Sequence, residues 1–271
     1  MKRHSKQEGF ISSAKTQIKQ NKGPFAVYMI LRIFVIASMV LAALRGEFEN
    51  VFVYALTLIL FLMPAAIERR FKVDFPNTLE IIILLFIFAA EVMGEIHKFY
   101  MRVPHWDTML HTMNGFLFAA VGFSLLDVIN RNPNIKFQLS PVYLAVVAFC
   151  FSMTIGVLWE FFEFGCDMLL QKDMQKDFII NAFSSVTLDP TQSNIPIRLD
   201  GITDVSVNGK NLGLGGYLDI GLIDTMKDLI VNFIGALIFS VIGFFYVKNR
   251  GKGKFAKQFI PTLDEDESKK E

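Results

Sequence analysis

Two carboxylates and an amide recur at every fourth position near the end of the chain, at Asp224, Asp228 and Asn232. On an α-helix this spacing puts all three side chains on one face. The segment that continues to Val247 is otherwise almost wholly apolar, which predicts a helix that crosses a membrane. Carboxylates at the end of such a helix are costly to place near hydrocarbon, so they are candidates for a functional site.

Two further motifs carry related chemistry. Asp107 and His111 are four residues apart, and Glu160 and Glu163 are three apart, so each pair lies on one helix face. Oxygen ligands with one imidazole suit Mg²⁺, Mn²⁺ or Ca²⁺, and Zn²⁺ is also compatible. The two glutamates are the expected catalytic general bases toward a metal-activated water. The predicted metal ligands are Asp107, His111, Asp224 and Asp228, and the predicted supporting polar residues are Glu91, Glu95, Asn114, Asp167 and Asn232.

Each motif also has a structural explanation that the sequence leaves open. Asp107 and Asp224 stand where helices are expected to begin, and an acidic residue there caps free N–H groups. The paired glutamates are compatible with a solvated helix end. Asp228 and His111 lie a full turn further in, where capping does not account for them. Protonated carboxyls in place of a metal ion are the remaining alternative.

The composition indicates a multi-pass membrane protein. Of 271 residues, 52% are hydrophobic and 28 are Phe, and the mean hydropathy is +0.41. These values are too apolar for an ordinary soluble domain, so the expected partner is the lipid bilayer. The net charge of +1 gives no reason to expect a nucleic-acid partner, and two cysteines are too few for a disulfide framework.

Six segments are long and apolar enough to cross a bilayer, which needs about 20 residues per helix. The predicted fold is therefore an all-α, six-helix transmembrane bundle with a long mixed extracytoplasmic insert between the fifth and sixth helices. The insert covers residues 165–222. The predicted transmembrane domain covers residues 25–247, and its helices are 25–44, 51–67, 78–96, 107–129, 141–164 and 223–247.

Lysine and arginine residues predict the orientation, because they are enriched in short cytoplasmic connections. The tails, residues 1–24 and 248–271, and the second and fourth connections are basic, whereas the first has only Arg45 and the third has Lys98 and Arg102. Both tails are therefore expected in the cytoplasm. This orientation places the acidic residues of the third to the sixth helix at one depth near the outer face.

The insert has three recognisable features in sequence. Residues 172–186 begin with Lys and Asp and then turn apolar, which predicts an amphipathic helix on the outer surface. Val207-Asn-Gly-Lys210 predicts a hairpin turn, and the glycines of residues 212–221 permit tight turns or a close approach to a ligand. We expect the insert to cover the acidic residues, either as a functional lid or as a spacer.

The three motifs together resemble signatures of the YjdF-like bacterial inner-membrane proteins: Asp107-Thr-Met-Leu-His111-Thr-Met-Asn-Gly-Phe, Trp159-Glu160-Phe-Phe-Glu163 and Asp224-Thr-x-x-Asp228-x-x-x-Asn232-x-x-Gly235-Ala. Their order is more distantly similar to the VanZ-like family, which is linked to tolerance of glycopeptide antibiotics. The resemblance covers residues 25–247 and implies a multi-pass protein of the bacterial inner membrane with no established activity. The insert departs from the YjdF-like pattern, since it lacks a Gly-Thr-Gln-Gly-Asp type of run.

The function that these observations favour is that of a metal-dependent enzyme acting on an envelope or lipid-linked small molecule. A protein that binds a cationic or amphipathic envelope ligand without catalysis is the first alternative, and a cation or proton transporter is the second. Transport is disfavoured because few ionisable residues continue to the cytoplasmic side. The chain has no Gly-x-Ser-x-Gly or His-Glu-x-x-His motif, so enzymes built on those motifs are excluded. The sequence predicts no oligomeric state.

Overall fold

The computed structural model describes residues 22–71, 73–131, 139–249, 254–260 and 262–263. The predicted basic tail, residues 1–24, lies almost wholly outside the described residues, as does the end of the predicted C-terminal tail. The chain divides into two units. Unit 1 comprises Met1–Met153 and Val231–Glu271, and unit 2 comprises Thr154–Ile230.

The first half of unit 1 consists of helices joined by short turns. Helix α1 spans Lys22–Leu44, α2 spans Phe48–Leu60 and α3 spans Met63–Phe71. After the short strand β1, Val73–Asp74, helix α4 spans Asn77–Ile87. Buried apolar side chains from α1, α2 and α4 form one hydrophobic cluster. These helices expose many further apolar residues, as expected of segments that lipid surrounds.

The third predicted span, residues 78–96, is helical but changes its winding. Helix α4 is followed directly by a π-helix, Phe88–Ile96. A π-helix holds more residues per turn than an α-helix and occurs mostly in short pieces. Within it Gly94 lies so close to Tyr100 that a Cβ on the glycine would be 2.4 Å from the ring. Glu91 and Glu95, the predicted supporting residues of this span, therefore lie on a helix whose residues are spaced at a different angle from those of an α-helix.

Five helical segments of the described chain are long and apolar enough to cross a membrane. They confirm a mostly helical, polytopic membrane protein. After the short helix α5, Phe99–Arg102, the long helices are α6, Trp106–Arg131, α7, Pro141–Leu170, and α8, Leu222–Lys248. Helix α7 continues past its predicted end at Phe164, because the next residues are still mostly apolar. The insert therefore begins after α7 at residue 171 rather than at 165.

Within unit 1, α6 and α8 meet backbone to backbone through two glycines. A Cβ on Gly115 would lie 2.0 Å from the Asn232 carbonyl oxygen, and a Cβ on Gly235 would lie 2.0 Å from the Thr112 carbonyl oxygen. The Ser152 hydroxyl of α7 donates to the Gly115 carbonyl at 2.7 Å. Small residues at such crossings permit close packing of membrane helices.

The C-terminal segment packs into unit 1 instead of remaining wholly a charged tail. A 3₁₀ turn, Ala256–Gln258, is followed by strand β8, Thr262–Leu263, which pairs antiparallel with β1. Phe259 is buried, and its ring centroid lies 5.1 Å from that of Phe116. Phe116 lies about 22 Å along the helix axis from Arg131, the last residue of α6. The apolar residues within the basic tail explain why this part of it enters the core.

Unit 2 carries the insert, which is built from short paired strands. The antiparallel pairs are β2 with β7, β3 with β4, and β5 with β6. The strands are Ile179–Ile180 (β2), Phe183–Ser185 (β3), Ile197–Leu199 (β4), Ser206–Val207 (β5), Lys210–Asn211 (β6) and Tyr217–Leu218 (β7). A 3₁₀ turn at Val186–Leu188 follows β3.

The structure corrects one prediction for the insert and confirms another. Residues 172–186 do not form an amphipathic helix. Carboxylates from α7 and α8 bind the backbone N–H groups of residues 174–176 and hold that segment in a non-helical conformation. The hairpin turn is confirmed at Asn208 and Gly209, which have φ values of 51° and 78°. Positive φ at both central residues is the requirement of a type I′ turn.

Candidate functional site

Unit 2 contains the four carboxylates that the sequence singled out on α7 and α8. Their exposed fractions are 4% for Glu160, 8% for Glu163, 8% for Asp224 and 3% for Asp228. One carboxylate oxygen of Glu160 lies within 4.8 Å of one of Glu163, as their spacing on one helix face predicts. Burial of several carboxylates in one unit of a membrane protein is expensive unless protons, hydrogen bonds or a cation compensate for it.

The ends of these helices that adjoin the insert are tied to it through their acidic residues. Asp224 Oδ2 accepts a hydrogen bond from the Lys176 backbone N–H at 2.7 Å, and Gln175 Nε2 donates to the Thr225 hydroxyl. Asp224 therefore holds the backbone at Lys176, which is distant in sequence, in addition to its place in the first turn of α8. Glu163 Oε1 accepts from the Trp159 indole N–H at 2.8 Å, which orients that carboxylate.

Asp167, a predicted supporting residue, holds the start of the insert in place. Its two oxygens accept the backbone N–H groups of Met174 at 2.6 Å and Gln175 at 2.9 Å. Both oxygens are thus engaged by backbone donors. Asp167 is better described as a positioning residue for the insert than as a ligand.

The sequence reasoning missed Asp219, which anchors the other end of the insert. Its oxygens accept the backbone N–H groups of Phe178 at 2.7 Å, Gly221 at 3.3 Å and Ile223 at 2.8 Å. An acidic residue just before a long apolar run is a known signal for a helix start and could have identified it. The Lys227 ammonium lies 3.5 Å from the centre of the Phe178 ring, which adds a cation–π contact to the same junction.

The base of the insert is strongly acidic. Burial, and then the negative charges of Asp173, Asp219 and Asp167, raise the pKa of Asp177 above its ordinary value. Lys176 acts in the opposite direction. Burial is the largest cause of this shift, and the three neighbouring carboxylates add a negative potential at the base of the insert.

Unit 1 contains the predicted Asp–His pair. His111 Nε2 lies 3.5 Å from Asp107 Oδ1, four residues earlier on α6. His111 is buried, whereas Asp107 is half-buried at the first turn of the helix. A neutral imidazole beside a carboxylate is a common pair of metal ligands, and it is also a stable hydrogen-bonding pair.

The predicted supporting amides are brought together in unit 1. Asn114 Nδ2 donates to Asn232 Oδ1 at 3.2 Å, and Asn232 Nδ2 lies 3.5 Å from the Met153 sulfur. Asn232 is fully buried at the glycine crossing of α6 and α8. These amides therefore join helices, and their contacts give them no direct ligand role.

The remaining supporting residues, Glu91 and Glu95, lie on the π-helix of unit 1. Glu95 is exposed and Glu91 is half-buried. Neither has a contact in the described structure that ties it to the Asp107–His111 pair.

The donors present fit a divalent cation. Metal–oxygen distances of about 2.0–2.6 Å place two ligands of one ion at most about 5 Å apart, and the Glu160–Glu163 separation of up to 4.8 Å lies within that limit. In unit 1 the Asp107–His111 separation of 3.5 Å does so as well. Carboxylates with one imidazole are ligands for Mg²⁺, Mn²⁺, Ca²⁺ or Zn²⁺.

Comparisons with known proteins agree with a membrane protein and assign no activity. A family model described as a predicted membrane protein (DUF2238) matches residues 27–249. An uncharacterized protein of Thermotoga maritima is 26% identical over 107 residues, which are 40% of this chain and 53% of that protein. The match thus spans about half the length of that relative. No solved structure matches the chain.

Proposed function

We propose, for a chain that belongs to the DUF2238 family of predicted membrane proteins, a metal-dependent enzyme activity toward an envelope or lipid-linked substrate. The chain is a multi-pass membrane protein whose family has no stated function. In this proposal the chain is related to the YjdF-like proteins and crosses the bacterial inner membrane six times. Both of its termini lie in the cytoplasm. The charge asymmetry of the connections supports that orientation.

The observation that carries the proposal is the burial of Glu160, Glu163, Asp224 and Asp228 within unit 2. Two carboxylates within 4.8 Å of each other repel when both are ionised, so one binds a proton or a cation lies beside them. The acidic base of the insert favours the cation, because its negative potential would concentrate positive ions there.

The proposed roles follow the sequence motifs. Asp224 and Asp228 are the metal ligands proposed in unit 2, and Asp107 and His111 are those proposed in unit 1. A bound divalent ion would supply Lewis acidity and a more acidic water. One of the two glutamates, Glu160 or Glu163, would take the proton from the attacking water. The Trp159 indole holds Glu163 in one orientation by its 2.8 Å hydrogen bond.

The surroundings of the glutamates on α7 support a substrate that comes from lipid. Phe161, Phe162 and Phe164 are next to them in sequence and expose 66%, 53% and 55% of their surfaces. A helix that buries its carboxylates and exposes phenylalanines presents the aromatic side chains to the hydrocarbon. An amphiphile with a polar group could therefore approach the helix laterally.

Binding without catalysis is the second candidate, and the acidic base of the insert favours it equally well. A cationic or amphipathic envelope ligand would satisfy the same carboxylates in place of a metal ion. The transporter alternative receives less support. Rings of Phe116, Phe239 and Phe259 pack edge to face at 5.1 Å in the core of unit 1, and such packing leaves a dry interior there.

Metal analysis of the protein purified in detergent tests the proposal. We expect a stoichiometric divalent metal in the wild type. Glu160→Gln and Glu163→Gln each remove one of two neighbouring negative charges and should weaken metal retention only in part. Asp224→Asn and Asp228→Asn should lose most of the metal. The exposed Glu95→Gln is the matched control and should retain it. Wild-type protein that neither retains nor rebinds Mg²⁺, Mn²⁺, Ca²⁺ or Zn²⁺ would refute the metal and favour the ligand-binding alternative.

A further inference from the structure

The insert of unit 2 has a defined backbone but no apolar core of its own. Across residues 171–221 the buried positions are Asp189, Gly216, Asp219 and Gly221. These are two aspartates and two glycines, so none of them buries an apolar side chain. Ordered segments in water normally bury apolar side chains, because that burial offsets the loss of conformational entropy. The apolar side chains of this insert therefore need a partner outside it.

The register of β3 and β4 gives the ribbon two different faces. Paired residues on neighbouring strands point to the same side, and successive residues alternate. The pairs Phe183–Leu199 and Ser185–Ile197 share one face, whereas Ser184–Arg198 lies on the other. Arg198 on that polar face binds Asp200 at 2.8 Å. The ribbon is thus amphipathic, with one mainly apolar side.

The apolar face is only partly covered by the protein. The Tyr217 ring packs against Phe183 with centroids 5.1 Å apart. Beyond this contact Ile195, Ile197 and Leu199 remain 55%, 36% and 42% exposed. Ile197 and Leu199 lie on one face of β4, and Ile195 is two residues before the strand begins.

The start of the insert is held by the tips of two membrane helices. Asp167 on α7 and Asp224 on α8 bind the backbone of residues 174–176, and β2 begins only three residues later. Asn181 then donates to the Ile202 and Gly215 carbonyls at 2.7 and 2.9 Å, which fixes the ribbon to this base. The insert is therefore held at the membrane surface.

The residues that join the insert to α7 and α8 include exposed apolar side chains. Leu169 at the end of α7 is 82% exposed, and Ile220 before α8 is 79% exposed. Ile220 also has a φ of 52°, an unfavourable conformation for a β-branched residue. Both side chains adjoin helices whose other apolar residues face lipid, so the lipid-facing surface continues onto the insert.

We propose that the β3–β4 ribbon lies on the membrane surface with Ile195, Ile197 and Leu199 inserted at the boundary between headgroups and acyl chains. Three aliphatic side chains expose on the order of a few hundred Å², whereas a stable protein interface buries about 800 Å² on each partner. The patch is thus too small for a second copy and sufficient for an interfacial anchor. Its attraction is apolar, because residues 171–221 contain six acidic and four basic residues.

Spin labels on neighbouring ribbon positions test this proposal. Nitroxides are placed singly at residues 184, 197, 198 and 199 in a Cys150→Ser, Cys166→Ser background and studied in zwitterionic lipid vesicles. Labels at 197 and 199 should collide more with oxygen, which dissolves in lipid, than with a water-soluble nickel complex. Labels at 184 and 198 should show the reverse and serve as controls for the fold. Adding anionic lipid should leave this alternation unchanged.

Several outcomes would overturn the proposal. Equal access of the nickel complex to all four labels would show a ribbon in water. Labels at 197 and 199 that are shielded from both reagents, with short label–label distances in paired chains, would show a second copy instead of lipid. Because Cys166 is buried and Cys150 is exposed, the same set in a background that keeps Cys166 checks that the serine replacement has not disturbed the fold.

Discussion

Gly115 on α6 lies so close to Asn232 on α8 that a Cβ on the glycine would be 2.0 Å from the Asn232 carbonyl oxygen. Gly235 makes the reciprocal approach to Thr112 at the same distance. This crossing joins the helix that carries His111 to the helix that carries Asp228. The partly buried Asn114–Asn232 hydrogen bond of 3.2 Å joins the same two helices.

Replacing Gly115 with Ala should therefore destabilise unit 1 by about 1–3 kcal/mol or more, because backbone atoms cannot move aside as side chains do. Gly165→Ala is the matched control, since its Cβ would meet nothing within 4 Å. That control should be neutral or stabilising by about 0.5–1 kcal/mol. Thermal melts of both variants in detergent measure the difference, and equal melting temperatures would contradict the close crossing.

Phe259→Ala should destabilise unit 1 by about 3–5 kcal/mol, the usual loss for a buried phenylalanine. Its ring packs on Phe116, which in turn packs on Phe239. Phe255 of the same segment is 56% exposed, so Phe255→Ala is the control and should have a much smaller effect. Denaturant titration in detergent gives both values. If the C-terminal segment did not pack into the core of unit 1, the two substitutions would lower the free energy of unfolding by the same amount.

The turn after Leu188 should open in acid. Hydrogen bonds from the Thr191 hydroxyl and backbone, and then from the Ile195 and Ser193 backbone, lower the pKa of Asp189 from 3.8 to about 2. A lowered pKa means that the stabilisation is complete above pH 3.8 and is lost as the pH falls through about 2. Pepsin cleavage near Leu188 should therefore increase across this window.

Asp189→Asn is the control for that experiment. The amide cannot accept as many hydrogen bonds as the carboxylate, so the variant should already be cleaved at pH 4 and change little on further acidification. Asp200→Asn, an exposed change in the same insert, should behave like the wild type. A wild-type loop that is equally resistant at both ends of the pH range would contradict the role of Asp189.

The transmembrane elements and the acidic pairs could be predicted because their signals are local. The last span was predicted at residues 223–247 and forms α8 at Leu222–Lys248. The Asp107–His111 pair follows from helical spacing alone, and the structure gives it a separation of 3.5 Å. Periodicity within one helix requires no knowledge of the partner elements.

Other features depend on residues distant in sequence, which spacing does not reveal. Asp224 was expected to cap its helix or to bind a metal ion, yet it also binds the Lys176 backbone N–H. That bond, together with those of Asp167, holds residues 174–176 in a non-helical conformation, so the predicted amphipathic helix does not form. The docking of Phe259 beside Phe116 is likewise a tertiary contact within a segment that composition marks as a charged tail.

Cation binding by the buried carboxylates is the central claim, and a thermal melt with metal removed and restored tests it most directly. A ligand that binds only the folded state at 100 times its dissociation constant adds about 2.7 kcal/mol of stability. After chelation, wild-type protein should regain several degrees of melting temperature with one of Mg²⁺, Mn²⁺, Ca²⁺ or Zn²⁺. Asp228→Asn in unit 2 and His111→Ala in unit 1 should each weaken that response, whereas Glu95→Gln should keep it. A wild-type melting temperature that no divalent ion raises would contradict the account.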